Sequence, residues 1–418
     1  MNKYLYSPRF RSALILSIFI SGYFHTPSYS VELSGYLEAE ARLFANAPLY
    51  EGQENNSASV AIVTEIYQEL GHNSSFTATP FARLDSADSN RTHFDLREFF
   101  FLLHGEWWEI RAGVDKVFWG VTESVHLVDI VNQTDTLESF DGEEKFGQPM
   151  LMLSFTGDGK GMNLFILPFF RERNFAGEGG RLRSKLLIDG NASAYESADR
   201  ENSVDFAARF NHTSGPLDLG LTYFKGTGRE PAYRLKVNEF GFPALDVSGR
   251  LGLFPYYEQI SQTGLDMLLV LDAWLLKMES IYRTGQSDRN GEKKDYGSSV
   301  LGFEYTLYGI AGSGADVGIL SEWIYDERGE NAVTSFNNDL MAGMRFSLND
   351  VSSSSLLFGL IYDYKSGASF FTLEGSRRLT DHFKLEIQSI YFVYSPESDL
   401  AWGMRSDSLL EARLAYYF

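Results

Sequence analysis

Polar and apolar side chains alternate with a period of two residues along most of the chain after residue 30. Such alternation is typical of β-strands with one apolar and one polar face, because successive side chains of a strand point to opposite sides. In the first alternating segment Leu33, Leu37 and Leu43 share one face, whereas Glu38 and Arg42 share the other. The charges occupy one side only, and the pattern predicts an all-β fold.

The same alternation predicts about eighteen strands, many of them with the roughly 9–11 residues that a tilted strand needs to cross a membrane. The first begins at Val31 and the last ends at Phe418. The others are expected near residues 58–71, 75–85, 94–104, 107–117, 149–156, 161–169, 203–211, 216–225, 259–271, 273–284, 297–308, 314–325, 338–347, 355–364, 368–378 and 382–393.

The connections between these strands alternate in length. Those at 118–148 and 170–202 are long, whereas those at 71–74 and 157–160 are short. This rhythm is typical of outer-membrane barrels, which have tight periplasmic turns and longer external loops. We therefore predict one transmembrane antiparallel β-barrel over residues 31–418, since a closed sheet satisfies its backbone hydrogen bonds in hydrocarbon. A secreted β-sandwich or solenoid is the alternative, although neither requires this rhythm.

The first thirty residues have the pattern of a secretory signal peptide. An apolar run over 13–20 is too short to span a bilayer, and Ser28 and Ser30 place small residues where signal peptidase cleaves. The positive charges before the run are Lys3, Arg9 and Arg11. We predict that residues 1–30 are a signal peptide, with an uncleaved anchor as the alternative, and that the protein is exported to the outer membrane of a Gram-negative cell.

Composition narrows the classes of function. The chain contains no cysteine, which excludes a disulfide framework, a thiol nucleophile and a thiolate metal site. Its net charge of −20 does not support nucleic-acid binding, which needs a basic surface. Aromatic residues make up 15% of the chain, and a barrel that displays aromatic side chains to a membrane explains this abundance.

The last alternating segment resembles the terminal strand of Gram-negative outer-membrane proteins, which closes on an aromatic residue. The matching residues are Arg413, Leu414, Ala415, Tyr416, Tyr417 and Phe418. The resemblance implies that Tyr416 and Phe418 belong to the signal recognised by the barrel assembly machinery. It also implies that outer-membrane lipid and lipopolysaccharide surround the protein.

The connection 118–148 carries a dense apolar run. Ser124 is placed to cap a short helix, and the apolar face of that helix would comprise Leu127, Val128, Ile130 and Val131. This face would be exposed to water outside the barrel, so we predict that the loop folds inward. It would then present to the lumen Glu123, His126, Asp129, Asn132 and Asp135. The alternative is an external loop that braces the barrel rim.

This placement resembles the inward-folded constriction loop of porins. The pattern Trp119-Gly120, Glu123, Leu127-Val128-Asp129 and Asn132 is also similar to a segment of porin-like and alginate-export-like barrels. The resemblance implies a lumen narrowed by residues 118–148, with Trp119 and His126 in the constriction. Across the gap from Glu123, Asp129 and Asp135 we expect Arg83, Arg97 and Arg111. Other inward charges, among them Lys277, Glu279, Glu322 and Arg345, are expected to form salt bridges within the wall.

We therefore predict a porin-like channel, a monomer or a homotrimer, that passes small hydrophilic solutes or ions by passive diffusion. It would need no cofactor and no metal. The excess of carboxylates favours cations or neutral solutes over anions. The alternatives are an outlet for an exported polysaccharide, a surface anchor for a partner and, less favoured, a barrel enzyme.

Catalytic patterns are absent from the sequence. Neither H-E-x-x-H nor G-x-S-x-G occurs. Ser124, His126 and Asp129 have the residue types of a hydrolytic triad, but their spacing on one short segment does not give the required geometry. The acidic run at 141–144 offers oxygen ligands for calcium, although a solvated loop is the simpler expectation. We predict no catalytic residue and no metal ligand.

Overall fold

The computed structural model describes residues 30–236 and 251–418 of the 418-residue chain. The predicted signal peptide lies outside the described residues, apart from residue 30. The strands, numbered along the chain, are β1 (Val31–Phe44), β2 (Asn56–Gly71), β3 (Ser74–Asp85), β4 (His93–His104), β5 (Trp108–Asp115), β6 (Gln148–Gly157), β7 (Lys160–Leu167), β8 (Leu187–Ile188), β9 (Ala194–Tyr195), β10 (Asp205–Ser214), β11 (Leu217–Thr227), β12 (Ala232–Leu235), β13 (Gly252–Tyr257), β14 (Gln259–Leu271), β15 (Trp274–Thr284), β16 (Tyr296–Leu307), β17 (Asp316–Asp326), β18 (Asn338–Ser347), β19 (Ser355–Asp363), β20 (Ser369–Arg378), β21 (Phe383–Tyr394) and β22 (Leu409–Tyr417).

Eighteen of these strands form one closed antiparallel barrel. Each barrel strand pairs with the next along the chain; β7 pairs with β10 and β11 pairs with β14. The last strand, β22, pairs with β1 from Tyr36↔Tyr417 to Phe44↔Leu409, and this pairing closes the sheet. The all-β barrel prediction is confirmed, and no predicted strand boundary between residues 58 and 393 differs from the structure by more than three residues.

The two faces of the barrel carry opposite kinds of side chain. Large apolar residues point outward and remain exposed, for example Leu33, Phe94, Leu221, Tyr282 and Tyr391. Charged residues point inward and are buried, for example Glu40, Arg83, Glu279, Glu322 and Glu411. This arrangement is the reverse of a soluble protein, and it matches a barrel whose outer face contacts lipid. In the described part of the chain, no helix has the length and apolar character to cross a membrane.

The connections between barrel strands contain only short elements. The strands β8, β9, β12 and β13 form a small separate sheet, in which β13 pairs antiparallel with β12 and parallel with β8 and β9. The described residues also contain single turns of 3-10 helix at Gly190–Ala192, Arg200–Asn202, Ile310–Gly312, Gly329–Asn331 and Leu400–Met404. Most of the longer loops are therefore irregular, and their positions depend on how they pack.

The loop between β5 and β6, residues 116–147, packs inside the barrel. Its apolar residues belong to a buried cluster with the inner wall, so the predicted inward fold is confirmed. The predicted helix after Ser124 is wrong, because the loop contains only turns and one isolated bridge between Thr134 and Lys145. One physical reason is competition at Val128: its N–H donates to Glu279 of the wall at 3.1 Å, whereas in a helix capped by Ser124 it would donate to the carbonyl of Ser124.

Candidate functional site

The loop crosses the lumen in two parts, which we call the first arm (residues 117–131) and the second arm (residues 132–146). The first arm buries an apolar side against the wall. Its members of the apolar cluster are Trp119, Val128, Ile130 and Val131, and its wall partners include Met152, Phe165, Phe224, Ile260 and Ile281. The ring of Trp119 packs edge-on against Phe165 at 5.6 Å between centroids. Burial of each such side chain contributes about 1.5–3 kcal/mol relative to exposure.

A wall carboxylate on β15 binds the backbone of the first arm. Glu279 Oε1 accepts hydrogen bonds from the N–H groups of Val121 (2.7 Å) and Thr122 (3.1 Å) and from the Thr122 hydroxyl (2.8 Å). Its Oε2 accepts from the N–H of Val128 at 3.1 Å. Glu279 is completely buried, and the four donors replace the water that a carboxylate otherwise requires.

A second wall carboxylate, Glu322 on β17, acts in the same way at the end of the first arm. It accepts from the N–H groups of Glu123 (2.7 Å) and Ser124 (2.8 Å) and from the Ser124 hydroxyl (2.5 Å). The side chain of Glu123 then forms ion pairs with Lys277 on β15 (3.3 Å) and Arg345 on β18 (2.7 Å). The first arm therefore extends from its origin beside β5 to the opposite side of the barrel.

Wall arginines bind the backbone of the second arm through its carbonyl groups. The carbonyl of Leu137 accepts from Arg91 (2.8 Å) and Arg42 (3.3 Å). The carbonyl of Glu138 accepts from Arg42 (3.0 Å) and Arg413 (3.1 Å). These arginines come from β1, β22 and the β3–β4 connection, so the second arm contacts the part of the wall where the barrel closes.

Two buried ion pairs also hold the second arm. Asp135 pairs with Arg97 at 2.7 Å, and Glu138 pairs with Arg83 at 2.9 Å. Burial alone would raise the pKa of Asp135, but the hydrogen bond with His93 and the charge of Arg97 outweigh burial and lower this pKa to about 2.

The spacing of His93, Asp135 and Glu138 is compatible with metal ligation, since ligand atoms of all three lie within 4.8 Å of one another. However, the guanidinium groups of Arg97 and Arg83 already pair with the two carboxylates. A cation at this position would lie among positive charges, so the cluster acts as a clamp on the loop.

An acidic edge, which we define as Asp141, Glu143 and Glu144, contains exposed carboxylates of the second arm. Gln388 on β21 donates to Asp141 at 3.3 Å. Glu374 on β20 interacts electrostatically with both Asp141 and Glu143. The acidic edge therefore faces β20 and β21 across the lumen.

Water reaches the inner wall around this edge. The side chain of Arg345 is 34% exposed, and a cavity of about 240 Å³ is lined by Arg345, Glu374, Glu386 and Gln388. Nearer the short turns, the side chains of Glu109 and Arg111 on β5 are 30% and 31% exposed. The lumen is therefore hydrated beside the loop and on its short-turn side.

His126 connects the first arm to the acidic edge. Its Nε2 lies 3.8 Å from a carboxylate oxygen of Glu143, and its Nδ1 lies 3.8 Å from Glu279 Oε1. Burial alone would lower the pKa of His126, but the two carboxylates outweigh burial and raise this pKa to about 9. The same contact lowers the pKa of Glu143. At neutral pH the contact is therefore between an imidazolium and carboxylates.

The predicted constriction residues of the loop have different environments. Trp119, Asn132 and Asp135 are buried; Asn132 accepts from the N–H of Val117 and donates to the carbonyls of Asp115 and Phe146. The side chain of Asp129 is 1% exposed and pairs with Lys145 at 3.2 Å. Glu123 and His126 remain partly exposed to the lumen.

The predicted wall arginines form ion pairs rather than lying across an open gap. Arg97 and Arg83 contact the second arm directly, and Arg111 pairs with Glu109 (2.7 Å) and Asp115 (3.1 Å) of its own strand. These arginines do not face an open gap because an unpaired buried charge is costly, and each therefore lies beside a carboxylate. The cations that face Glu123 are instead Lys277 and Arg345.

The sequence predicts a solvated loop at the acidic edge and only salt bridges within the wall for Glu279 and Glu322. Alternation does place both glutamates on the inward face. Nothing near them in the sequence indicates that they bind the N–H groups of a loop more than 150 positions earlier in the chain. The run of three carboxylates is visible in the sequence, but its position opposite β20 and β21 is not.

No family model and no curated protein matches this chain. A mutant of Rh. blastica porin is one of the solved structures that this chain resembles in fold. The two have 11% sequence identity and a TM-score of 0.44, and the match covers 93% of this chain and 100% of the porin chain. A loop-deletion mutant of OmpT, an outer membrane protein of Vibrio cholerae, has 8% identity and a TM-score of 0.47, and covers 94% of this chain and 100% of that chain. The closed sheet, the apolar outer face and the loop within the lumen define a transmembrane β-barrel with an inward-folded loop.

Proposed function

We propose that this protein is a passive channel of the outer membrane, and that its constriction favours small hydrophilic cations and uncharged solutes over anions. The observation that carries the proposal is the acidic edge, whose three carboxylates are exposed inside the lumen opposite β20 and β21. Fixed carboxylates at a narrow point raise the local concentration of cations and oppose the entry of anions.

The cations near the constriction do not cancel this charge. Lys277 and Arg345 each lie between Glu123 and Glu304, at 3.3 and 3.9 Å for Lys277 and at 2.7 and 3.6 Å for Arg345. The positive charges of Lys277 and Arg345 are thus neutralised by the glutamates that they contact. The acidic edge retains a negative potential, apart from the contact of Glu143 with His126.

The anchoring of the loop supports passive diffusion through an aperture of constant width. Both arms are bound to the wall along their length, through Glu279 and Glu322 on one side and through Arg42, Arg83 and Arg97 on the other. A loop held by so many buried contacts resists displacement, so we expect it to narrow the channel without opening and closing it.

The test is planar-bilayer conductance in a salt gradient, comparing the wild-type protein with D141N/E143Q/E144Q. We expect discrete steps for both, a wild-type reversal potential on the cation side, and a shift of at least half toward zero in the variant. The control D158N/D272N/D381N removes three carboxylates from exposed positions in short turns, and it should behave as the wild type.

Three outcomes would contradict the proposal. An unchanged reversal potential in D141N/E143Q/E144Q would remove the acidic edge from the selectivity mechanism. A wild-type reversal potential on the anion side would show that the wall arginines dominate. Silence from a barrel with intact circular dichroism would indicate a closed lumen and would favour a polysaccharide outlet or a surface anchor.

A further inference from the structure

A second cavity lies on the other side of the second arm, among the long outer connections. It has a volume of about 430 Å³, and Thr136 and Leu137 of the second arm form part of its lining. Most of the remaining lining comes from the connections near residues 45–57, 86–92, 171–188 and 400–404. The volume is within the range of pockets that bind small molecules, roughly 300–1,000 Å³.

One side of this outer pocket is apolar. It contains Phe175, Leu187, Tyr233 and Leu253, and the rings of Phe175 and Tyr233 meet edge to face at 6.0 Å. An apolar lining with a few polar groups is the usual composition of a site that binds an organic molecule.

The charged part of the lining is basic. Five arginines and three carboxylates line the outer pocket. Three of the arginines are already paired with buried carboxylates: Arg42 with Glu411 (2.6 Å), Arg91 with Glu40 (2.7 Å) and Arg181 with Asp407 (2.7 Å). The arginines that remain are Arg173 and Arg183.

Arg173 is the cation best placed to bind a ligand. Within residues 30–236 and 251–418 its guanidinium lies within 4.0 Å of no carboxylate oxygen, and its Nε donates to Gln133 at 3.3 Å. Glu230 interacts with it electrostatically but forms its close ion pair with Arg283, at 2.8 Å. Arg183 donates to three backbone carbonyls, those of Gly180, Ser184 and Glu178. Burial lowers the pKa of Arg183, which indicates that an added anion would stabilise its charged form.

We propose that the outer pocket binds a small organic anion with an apolar body, such as an aromatic carboxylate. The carboxylate would pair with Arg173, and the body would lie against Phe175, Tyr233 and Leu253. Arginine suits this role because its planar guanidinium binds a carboxylate through two parallel hydrogen bonds. The pocket lies apart from the acidic edge, so its ligand is bound at the mouth of the barrel whether or not the lumen conducts.

The experiment is isothermal titration calorimetry of the full-length protein in lipid nanodiscs with 3-phenylpropionate. The uncharged 3-phenylpropionamide has the same apolar body and serves as the ligand control. We expect saturable binding of the acid and at least tenfold weaker binding of the amide. R173Q should weaken binding of the acid at least tenfold, because it removes the charge. R173K keeps the charge but loses the two parallel hydrogen bonds, so it should bind the acid more weakly than the wild type and more tightly than R173Q.

Two further variants test whether loss of binding is specific to changes in the outer pocket. R200Q removes an exposed arginine from another part of the same long connection and should bind the acid as the wild type does. L187D places a negative charge in the partly exposed apolar lining and should also abolish binding. Equal binding of acid and amide, unchanged binding by R173Q, or no saturable heat at millimolar acid would overturn the proposal.

Discussion

The two arms of the inward loop are held to the wall mainly through different backbone groups. The first arm presents N–H groups to two wall carboxylates, Glu279 and Glu322, and adds an apolar side that packs on the wall. The second arm presents carbonyl groups and carboxylates to wall arginines, including Arg42 and Arg83. The wall therefore accepts most of the backbone N–H donors of the first arm, although Gln262 and Arg229 also donate to the carbonyls of Leu127 and Val131. Along the second arm the wall arginines are the donors.

This difference shows how an irregular segment can be buried inside a barrel. A loop without helix or strand has no internal partners for most of its backbone N–H and C=O groups, and buried groups of this kind must be satisfied. Carboxylates satisfy N–H groups and guanidinium groups satisfy carbonyls. The inward charges of the wall thus replace the secondary structure that the loop lacks.

The largest expected loss of stability comes from Arg83→Gln, which removes a contact of the second arm. Arg83 pairs with Glu138 (2.9 Å), Glu38 (2.8 Å) and Glu40 (3.2 Å). Its removal leaves the buried carboxylates of Glu138 and Glu38 without their main partner, whereas Glu40 keeps its contact with Arg91. We expect the free energy of unfolding to fall by about 3–5 kcal/mol, measured by denaturant titration of the refolded barrel. Arg378→Gln, at an exposed strand end, is the control. A loss below about 1 kcal/mol would show that these ions are hydrated rather than clamped.

A smaller loss of stability, with a change in conductance, is expected on the first arm from Glu279→Ala. The substitution removes the acceptor of four hydrogen bonds, and we expect a loss of about 3 kcal/mol. Single-channel conductance should rise and become noisier, because the first arm can leave the wall.

Glu279→Gln keeps one acceptor oxygen and should have an intermediate effect. Glu65→Ala, which removes an exposed carboxylate of β2, should leave both quantities unchanged. Wild-type conductance in Glu279→Ala would mean that the apolar contacts alone hold the first arm.

The smallest effect is expected at His126, where the two arms meet. In the folded protein the pKa of His126 is about 9, above its unfolded value of about 6.5. Protonation of His126 therefore stabilises the fold, and this contribution is fully present below about pH 6.5. This contribution is lost as the pH rises through the folded pKa. His126→Gln should therefore cost about 1 kcal/mol near neutral pH and nothing above pH of about 10. Parallel stability curves for both proteins from pH 6 to 10 would contradict the pairing of His126 with Glu143 and Glu279.

The strands could be predicted from the sequence because the alternation that defines them involves only neighbouring residues. The alternation in β14 and β18 predicted their bounds without error, at 259–271 and 338–347. The apolar run around Val128 likewise predicted an inward loop, since such a run is costly in water. The local conformation of that loop could not be predicted, because it depends on wall residues that are distant in the sequence.

The sequence by itself determined the class of fold, the number and faces of the strands, and which loop enters the lumen. Each of these follows from the period of apolar residues and from connection length, which neighbouring residues specify. Only the tertiary structure decided which charges pair and which remain exposed. Asp135 and Asp141 look alike in the sequence, yet Asp135 is buried against Arg97 and Asp141 faces the lumen. The physical reason is that ion pairing and burial depend on distances across the closed barrel, and these distances exist only after β22 has paired with β1.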